Sequence, residues 1–274
     1  MSISLASSPT SERVSLDQHG AVLIIRMLRH DKRNAIDAQM TAALSAAFDR
    51  LDDDPTLRCG ILTGGETVFC AGTDLSQGAG EPTQRGGAYG LIHRQRAKPL
   101  IAAVEGPALG GGFELVLACD LVVAGQSAAF GLPEVGHGVI PTCGGLFRGS
   151  ASLPLALMKR MALTGLPVPA AALERHGLIA EVVADGTALA AALALALEIC
   201  ANSPLAVAAV LRAMNDVAGA DDEAGWAATD AALQSILGSP DHREGITAFL
   251  EKRRPRWDRR PGLPAHAPEG RETR

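Results

Sequence analysis

AVEGPALGGGFELVLACDLVVAG, residues 103–125, sets three consecutive glycines between two compact apolar runs and holds one glutamate, Glu114. The runs LIAAVEG (100–106) and DLVVAG (120–125) each read as a buried strand. The glycines then stand where a strand hands over to a helix. The first amides of a helix lack partners within it and carry partial positive charge, so such a start attracts anions. Two phosphate motifs are the first to test. A GxxxxGK[ST] loop needs a lysine after its last glycine, and Phe113 follows Gly112. A dinucleotide fingerprint needs GxGxxG, and Gly106, Gly110, Gly111 and Gly112 have the wrong spacing. Two readings remain: close packing of helix on strand, or amides that hold an oxyanion forming on a thioester carbonyl. In the second case one preorganised donor contributes roughly 3–4 kcal/mol to catalysis.

On the N-terminal side, AVLIIRM (21–27) and LRCGILTG (57–64) read as further strands. AQMTAALSAAFDRLDDD (38–54) has apolar residues at helical spacing, with Asp37 as its N-cap. SQGAGEPTQRGGAYG (76–90) reads as a mobile loop, with a helix holding His93 after it, and AAFGLPEV (128–135) as a short extended piece. From about 187 to 253 the pattern is helical almost throughout, with breaks at Pro204, at Gly219 and Ala220, and at Pro240. The proline-rich, charged RRPGLPAHAPEGRETR (259–274) predicts disorder. Strands alternating with helices, then a helical end, predict an α/β core with a C-terminal helical subdomain. There is no exact internal repeat, but strand–strand–helix units of similar size fit a structural one.

The 274 residues suffice for one large domain or a domain with an appendage, and 47% are hydrophobic. A net charge of −5 argues against a general nucleic-acid binder. Five cysteines, Cys59, Cys70, Cys119, Cys143 and Cys200, form no CxxC pair and read as buried free thiols in a reducing compartment. MSISLASSPTSERVSL has no signal or transit pattern, and the apolar run 188–197 is about half the roughly 20 residues that cross a bilayer. The expectation is a cytoplasmic protein with no membrane segment.

Glu114 is surrounded by Phe113, Leu115, Val116, Leu117 and Ala118. A helix apolar all round is buried, and a buried acid needs a partner or a task. Burial raises its pKa while a helix start lowers it, and the balance suits either an acid/base catalyst or a carboxylate that caps amides. Glu134 lies twenty positions on, in FGLPEVGHGVIP, far enough for a helix, a strand and a return to the same helix start. Two carboxylates meeting there would position a water and shuttle its protons; the alternative is that each is structural.

KRNAID (32–37), VFCAGTDL (68–75), residues 103–125 and AAFGLPEVGHGVIPTCGG (128–145) together resemble the crotonase superfamily, the enoyl-CoA hydratase/isomerase family. The resemblance runs on through ALTGLPVPAAALERHGLIAEVV (162–183) to EGITAFLEKRRPRW (244–257) and covers nearly the whole chain in order. It implies a spiral of repeated ββα units over 1–200 that holds the active site. A C-terminal helical trimerisation subdomain over 201–255 and a disordered tail over 256–274 complete it. The implied partners are an acyl-CoA substrate and other copies of the chain, as a homotrimer or dimer of trimers.

By the same resemblance, the backbone amides of Thr73 and Gly111 form an oxyanion hole, with Thr73 where alanine is common. Glu114 and Glu134 match the two glutamates of the family's hydratases. The implied reaction is syn addition of water to a trans-2-enoyl-CoA, giving a 3-hydroxyacyl-CoA, in fatty-acid metabolism such as β-oxidation. No metal or redox cofactor is implied; coenzyme A is the handle of the substrate. CoA contacts are implied at Arg33, Asn34, Ala35, Ala71, Asp74 and Leu75, with Phe249 and Lys252 reaching a neighbouring subunit's site. A second function for Asp74, as a cap shaping the oxyanion turn, and a solvated charge at Arg33 stay open. So does a solvated tail for the basic cluster Arg253, Arg254, Arg256, Arg259 and Arg260.

Two alternatives follow. One keeps the fold and changes the reaction to enoyl-CoA isomerisation or a carnitinyl-CoA-type dehydration, with PTCGGLFRG (141–149) departing from the commoner run in housekeeping hydratases. The other is an acyl-CoA- or RNA-binding protein with little catalysis, against which the negative charge and the two intact acids count. His137 reads as part of a turn, His93 as lacking ligand companions, and Cys70 and Cys143 as thiols without an activating base.

Overall fold

The computed structural model describes residues 13–219 and 222–257. Strands β1 (Val14–His19) and β2 (Val22–Met27) form an antiparallel hairpin. Helix α1 (Ala38–Asp53) follows, and Asp37 caps it as expected, its carboxylate accepting from the Met40 N–H at 2.7 Å. Strands β3 (Cys59–Thr63) and β4 (Leu100–Val104) extend the sheet in parallel. The chain then leaves the sheet as β5 (Pro107–Leu109), turns through α2 (Gly111–Leu117) and returns as β6 (Leu121–Gly125), parallel to β4.

The excursion repeats. β7 (Ala129–Gly131) pairs in parallel with β5, and α3 (Gly145–Ser152) and α4 (Leu155–Thr164) follow. The passes β4–β5–α2 and β6–β7–α3 each put one strand in each of two sheets, the ββα spiral that the family resemblance implies. β8 (Val168–Pro169), α5 (Ala170–Arg175) and β9 (Glu181–Val183) complete the sheets, in the orders β1-β2-β3-β4-β6-β9 and β5-β7-β8.

Every residue of β3 and β4 is buried, as expected of parallel strands covered on both faces. On one face Leu62, Ala102 and Val122 pack with Leu44, Phe48 and Leu51 of α1. On the other, Ile61, Ile101 and Val123 meet α6 (Ala188–Cys200) through Ala188, Ala192 and Ala196, a small-residue stripe at intervals of four. Helices α7 (Pro204–Ala218), α8 (Asp222–Ile236) and α9 (Pro240–Leu250) end the described chain, with the breaks expected at Pro204, Gly219 and Pro240. Ala220, Arg259, Arg260 and nearly all of the tail expected to be disordered lie outside the described residues. Among the described residues no single helix is long and apolar enough to cross a membrane.

The segment from 76 to 97 differs from its sequence reading. It is fastened rather than loose: Thr41 Oγ1 donates to Ala79 O at 2.7 Å, and Arg85 forms a two-pronged pair with Asp53 at 2.7 and 3.0 Å. No α-helix forms around His93. A 3-10 turn at Ala88–Gly90 takes its place, because Gly87, Tyr89 and Gly90 all adopt positive φ (63°, 54° and 73°) and interrupt any helical run.

Candidate active site

Residues 70–73 and 108–111 run side by side. Leu109 N donates to Cys70 O at 2.9 Å, and Gly72 (φ +91°) lies so near α2 that a Cβ on it would stand 2.9 Å from both Gly111 N and Leu109 O. Only glycine fits there. The approach brings the amides of Thr73 and Gly111 to neighbouring positions, and among the described residues neither N–H has a hydrogen-bond partner. Gly110 (φ 56°) caps α2 without a side-chain bond.

Behind Thr73 a buried ionic network holds the loop. Arg29 Nη1 donates to Ala35 O and pairs with Asp74, each at 2.8 Å, while its Nε lies 3.3 Å from Asp37. Asp37 also pairs with Arg13 at 2.9 Å, and Asp74 N donates to Ile36 O at 2.9 Å. Asp74 is therefore committed to shaping the turn. Its carboxyl is held down to about 2 by the Ser76 hydroxyl and amide and by Arg29, against the opposing effect of burial.

Glu114, on α2, is 2% exposed. Its Oε1 accepts from the backbone N–H of Cys143 at 2.7 Å and of Gly145 at 2.9 Å, the approach to α3. Burial pushes its pKa up to about 7 against those two hydrogen bonds. Glu134 opens a 3-10 turn, Glu134–His137, whose left-handed cap is Gly138. Burial, then the negative charge of Glu114, push its pKa up to about 8. Its Oε2 is buried without a hydrogen-bond partner, an arrangement that costs free energy unless the atom has a task. Its Oε1 lies 3.0 Å from where a Cβ on Gly110 would stand, so it faces the start of α2. The structure thus brings together four expected groups: two free amides and two carboxyls whose pKa values burial raises.

A cleft of about 430 Å³ is lined by Arg26, His30, Arg33, Asn34, Gly65, Glu66, Thr67 and Val68, none of which is one of those four groups. Arg33 is exposed and left-handed (φ 53°). Asn34 is buried and donates to Phe69 O at 2.9 Å, so its amide nitrogen is bound within the fold. Ala35, Ala71 and Leu75 are half-buried beside them, and Ala71 N donates to Arg33 O at 3.0 Å. Phe249 and Lys252 sit apart at the exposed end of α9, the Phe249 ring edge-on to His137 with centroids 5.3 Å apart. Of the basic cluster, Arg253 is paired with Glu244 at 2.6 Å.

Sequence reading missed the amides of Cys143 and Gly145 as donors to Glu114, and Arg29 behind the loop. It also missed Tyr89, whose hydroxyl is 2.7 Å from Thr73 Oγ1. Only the polar Thr73 in an alanine position hinted at the last. His93 stacks at 4.4 Å on Trp226, and burial pushes the thiols of Cys70 and Cys143 up to about 12, which agrees with the inert roles expected of them. Among the described residues no cluster of three or more His, Cys, Asp or Glu is arranged to hold a metal ion.

The enoyl-CoA hydratase/isomerase family profile matches residues 17–260. The chain is 41% identical to the enoyl-CoA hydratase EchA19 of Mycobacterium tuberculosis, over 89% of this chain and 96% of that protein. It is 39% identical to a carnitinyl-CoA dehydratase of Salmonella typhi, over 90% and 98% of the two chains. The crystal structure of a carnitinyl-CoA hydratase from Mycobacterium avium superimposes with a TM-score of 0.84 at 41% identity, over 90% of this chain and 99% of that one.

Proposed function

The chain belongs to the enoyl-CoA hydratase/isomerase family, and from that premise we propose that it is an enoyl-CoA hydratase. Water adds in syn fashion across the 2,3 double bond of a trans-2-enoyl-CoA, giving a 3-hydroxyacyl-CoA. The observation that carries the reading is the pair of raised carboxyls beside two unpartnered amides. The amides of Thr73 and Gly111 hold the thioester oxygen as it gains enolate character. Glu114, the more acidic of the two, takes a proton from the water whose oxygen bonds to C3. Glu134, the less acidic, gives its proton to C2. The 3-hydroxyacyl-CoA leaves with both new bonds on one face, and the protons re-equilibrate between the carboxyls.

Coenzyme A is the handle, and the chemistry calls on no metal or redox group. The cleft beside Arg33 suits its phosphates and adenine, with Ala35, Ala71 and Leu75 along the pantetheine. Homo-oligomerisation, as a trimer or a dimer of trimers, is supported by α7, which buries none of its own residues. Residues 1–200 then form the spiral core and 201–255 the oligomerisation subdomain, with Phe249 and Lys252 presented to a neighbouring subunit. Five free thiols accord with the cytoplasm.

A second reading has a specific support in the carnitinyl-CoA dehydratase relative. The same groups run in reverse remove water from a 3-hydroxyacyl-CoA, so the two differ in substrate rather than in machinery. The test is a spectrophotometric assay at the conjugated thioester band on crotonyl-CoA, longer enoyl-CoAs and carnitinyl-CoA. Glu114→Gln and Glu134→Gln each lower kcat by about 10²- to 10⁴-fold while CoA binding persists. Full activity in both variants excludes the mechanism. Turnover of carnitinyl-CoA alone transfers the assignment to the dehydratase.

A further inference from the structure

Tyr89 lies outside every motif that marks the site, yet its phenol touches each of the three segments that build it. Its hydroxyl is 2.7 Å from Thr73 Oγ1, and the Cys143 thiol lies near it. A Cβ on Gly111 would overlap that same oxygen, so the phenol rests directly on the first turn of α2. The N–H of Cys143 is in turn a donor to Glu114. Tyr89 is 3% exposed and left-handed (φ 54°, ψ 10°), a conformation that a bulky residue keeps only where its surroundings over-determine it.

Those surroundings are rigid. Gly90 packs so tightly on α1 that a Cβ there would stand 2.6 Å from Ser45 N. Arg94 Nε donates to Gly90 O at 2.9 Å, and its Nη1 pairs with Asp49 and Asp52 of α1, each at 2.8 Å. The turn that carries Tyr89 is thus bolted to the main core.

We propose that Tyr89 is a positioning residue of the thioester site: its hydroxyl, wedged between Thr73 and the first turn of α2, fixes the spacing of the Thr73 and Gly111 amides. The inference rests on the reading that these amides hold the thioester oxygen. The two N–H groups come from separate segments, and the backbone bond between Leu109 and Cys70 secures only one end of their contact. Thr73 lies three residues beyond that bond. The Thr73–Tyr89 hydrogen bond closes the open end, with Gly111 supplying the room for it. Preorganised donors are effective because they do not reorganise as charge develops, and misplacement by about 1 Å costs up to 10²-fold. Burial of the ring, then the neighbouring Cys143 and Glu114, keep the phenol neutral, so it acts as a hydrogen-bonding strut and not as a proton relay.

The experiment pairs kinetics with isotope-edited infrared spectra of bound butyryl-CoA labelled with ¹³C at the carbonyl, an unreactive thioester. Wild type lowers the carbonyl frequency on binding. Tyr89→Phe loses half or more of that shift, and kcat for enoyl-CoA hydration falls about tenfold with KM and both pH limbs in place. Thr73→Val, on the other side of the same bond, gives the same two losses and serves if Tyr89→Phe folds poorly. The double variant is no worse than either single one, and Thr73→Ser recovers the shift that Thr73→Val loses. An unchanged shift and kcat in Tyr89→Phe overturns the proposal, as do losses that multiply or an effect confined to KM. Absence of any shift in wild type defeats the thioester-site reading itself, which separates the two failures.

Discussion

At the scale of single residues, the two carboxyls differ by their surroundings. Glu114 is the more deeply buried but accepts two backbone N–H bonds; among the described residues Glu134 accepts none from another residue, and it feels the charge of Glu114. Both carboxyls are raised toward neutrality, so with Glu114 as the proposed base and Glu134 as the proposed acid they work in one window of pH. Below about 7 Glu114 is protonated and cannot take the water's proton; above about 8 Glu134 has none to give. The kcat/KM profile for hydration is therefore expected to be a narrow bell between those values, and Glu134→Gln to abolish the alkaline limb of whatever activity remains. A flat profile from pH 6 to 9 would contradict the assignment. Stability follows with a worked sign. Both folded-state pKa values are raised above the ordinary glutamate value near 4.3, so the folded chain retains protons that the unfolded chain releases. Their contribution is complete at low pH and is lost as pH rises through about 7 and 8. In thermal melts, Glu134→Gln should raise Tm more at pH 8.5 than at pH 5.

Elements position these residues through groups far away in sequence. The N-cap of α1, Asp37, shares Arg29 with Asp74, so the start of a helix and the oxyanion turn rest on one buried guanidinium. Arg29→Met leaves two buried carboxylates short of their partner. A loss of about 3–5 kcal/mol in chemical denaturation is expected, and kcat should fall with it as the turn that carries Thr73 loosens. If Arg29→Met unfolds at the wild-type denaturant concentration, the network is not what holds the turn. The same long reach decides what a sequence reveals. The strands and α1 were legible because β-branched runs and period-3.6 patterns are local properties, and Asp37 announced its helix. Glu114 and Glu134 were legible through their motifs, as acids in apolar settings. The donors to Glu114 were not, since Cys143 and Gly145 lie 29 and 31 positions away and act through backbone N–H groups that every residue possesses. Nor was the turn at 88–90, where a tyrosine accepts a glycine-like conformation for contacts that exist only after folding.

For the molecule as a whole, the two faces of the large sheet are closed by α1 and α6, which leaves the C-terminal helices with little of the core to cover. α7 shows the consequence: Leu205, Val210, Met214 and Val217 are 84%, 59%, 66% and 78% exposed. Val210, Met214 and Val217 recur at intervals of four and three and so share one face. A contiguous apolar face of this kind on a single chain marks an interface. If the proposed homo-oligomer forms through this face, the 28.3 kDa chain should sediment as three or six copies. Replacing Val210 and Met214 together by Glu puts charges where apolar surface is to be removed from water, and should release the monomer at micromolar concentration. Because neither residue touches the carboxyls or the amides, the monomer should keep its fold by circular dichroism. If Phe249 and Lys252 complete a neighbour's CoA site, the monomer should also show a raised KM for enoyl-CoA with the bell-shaped pH profile intact. Wild type that sediments as a fully active monomer would remove both the interface and the shared site, leaving α7's exposed face without an occupant of its own kind.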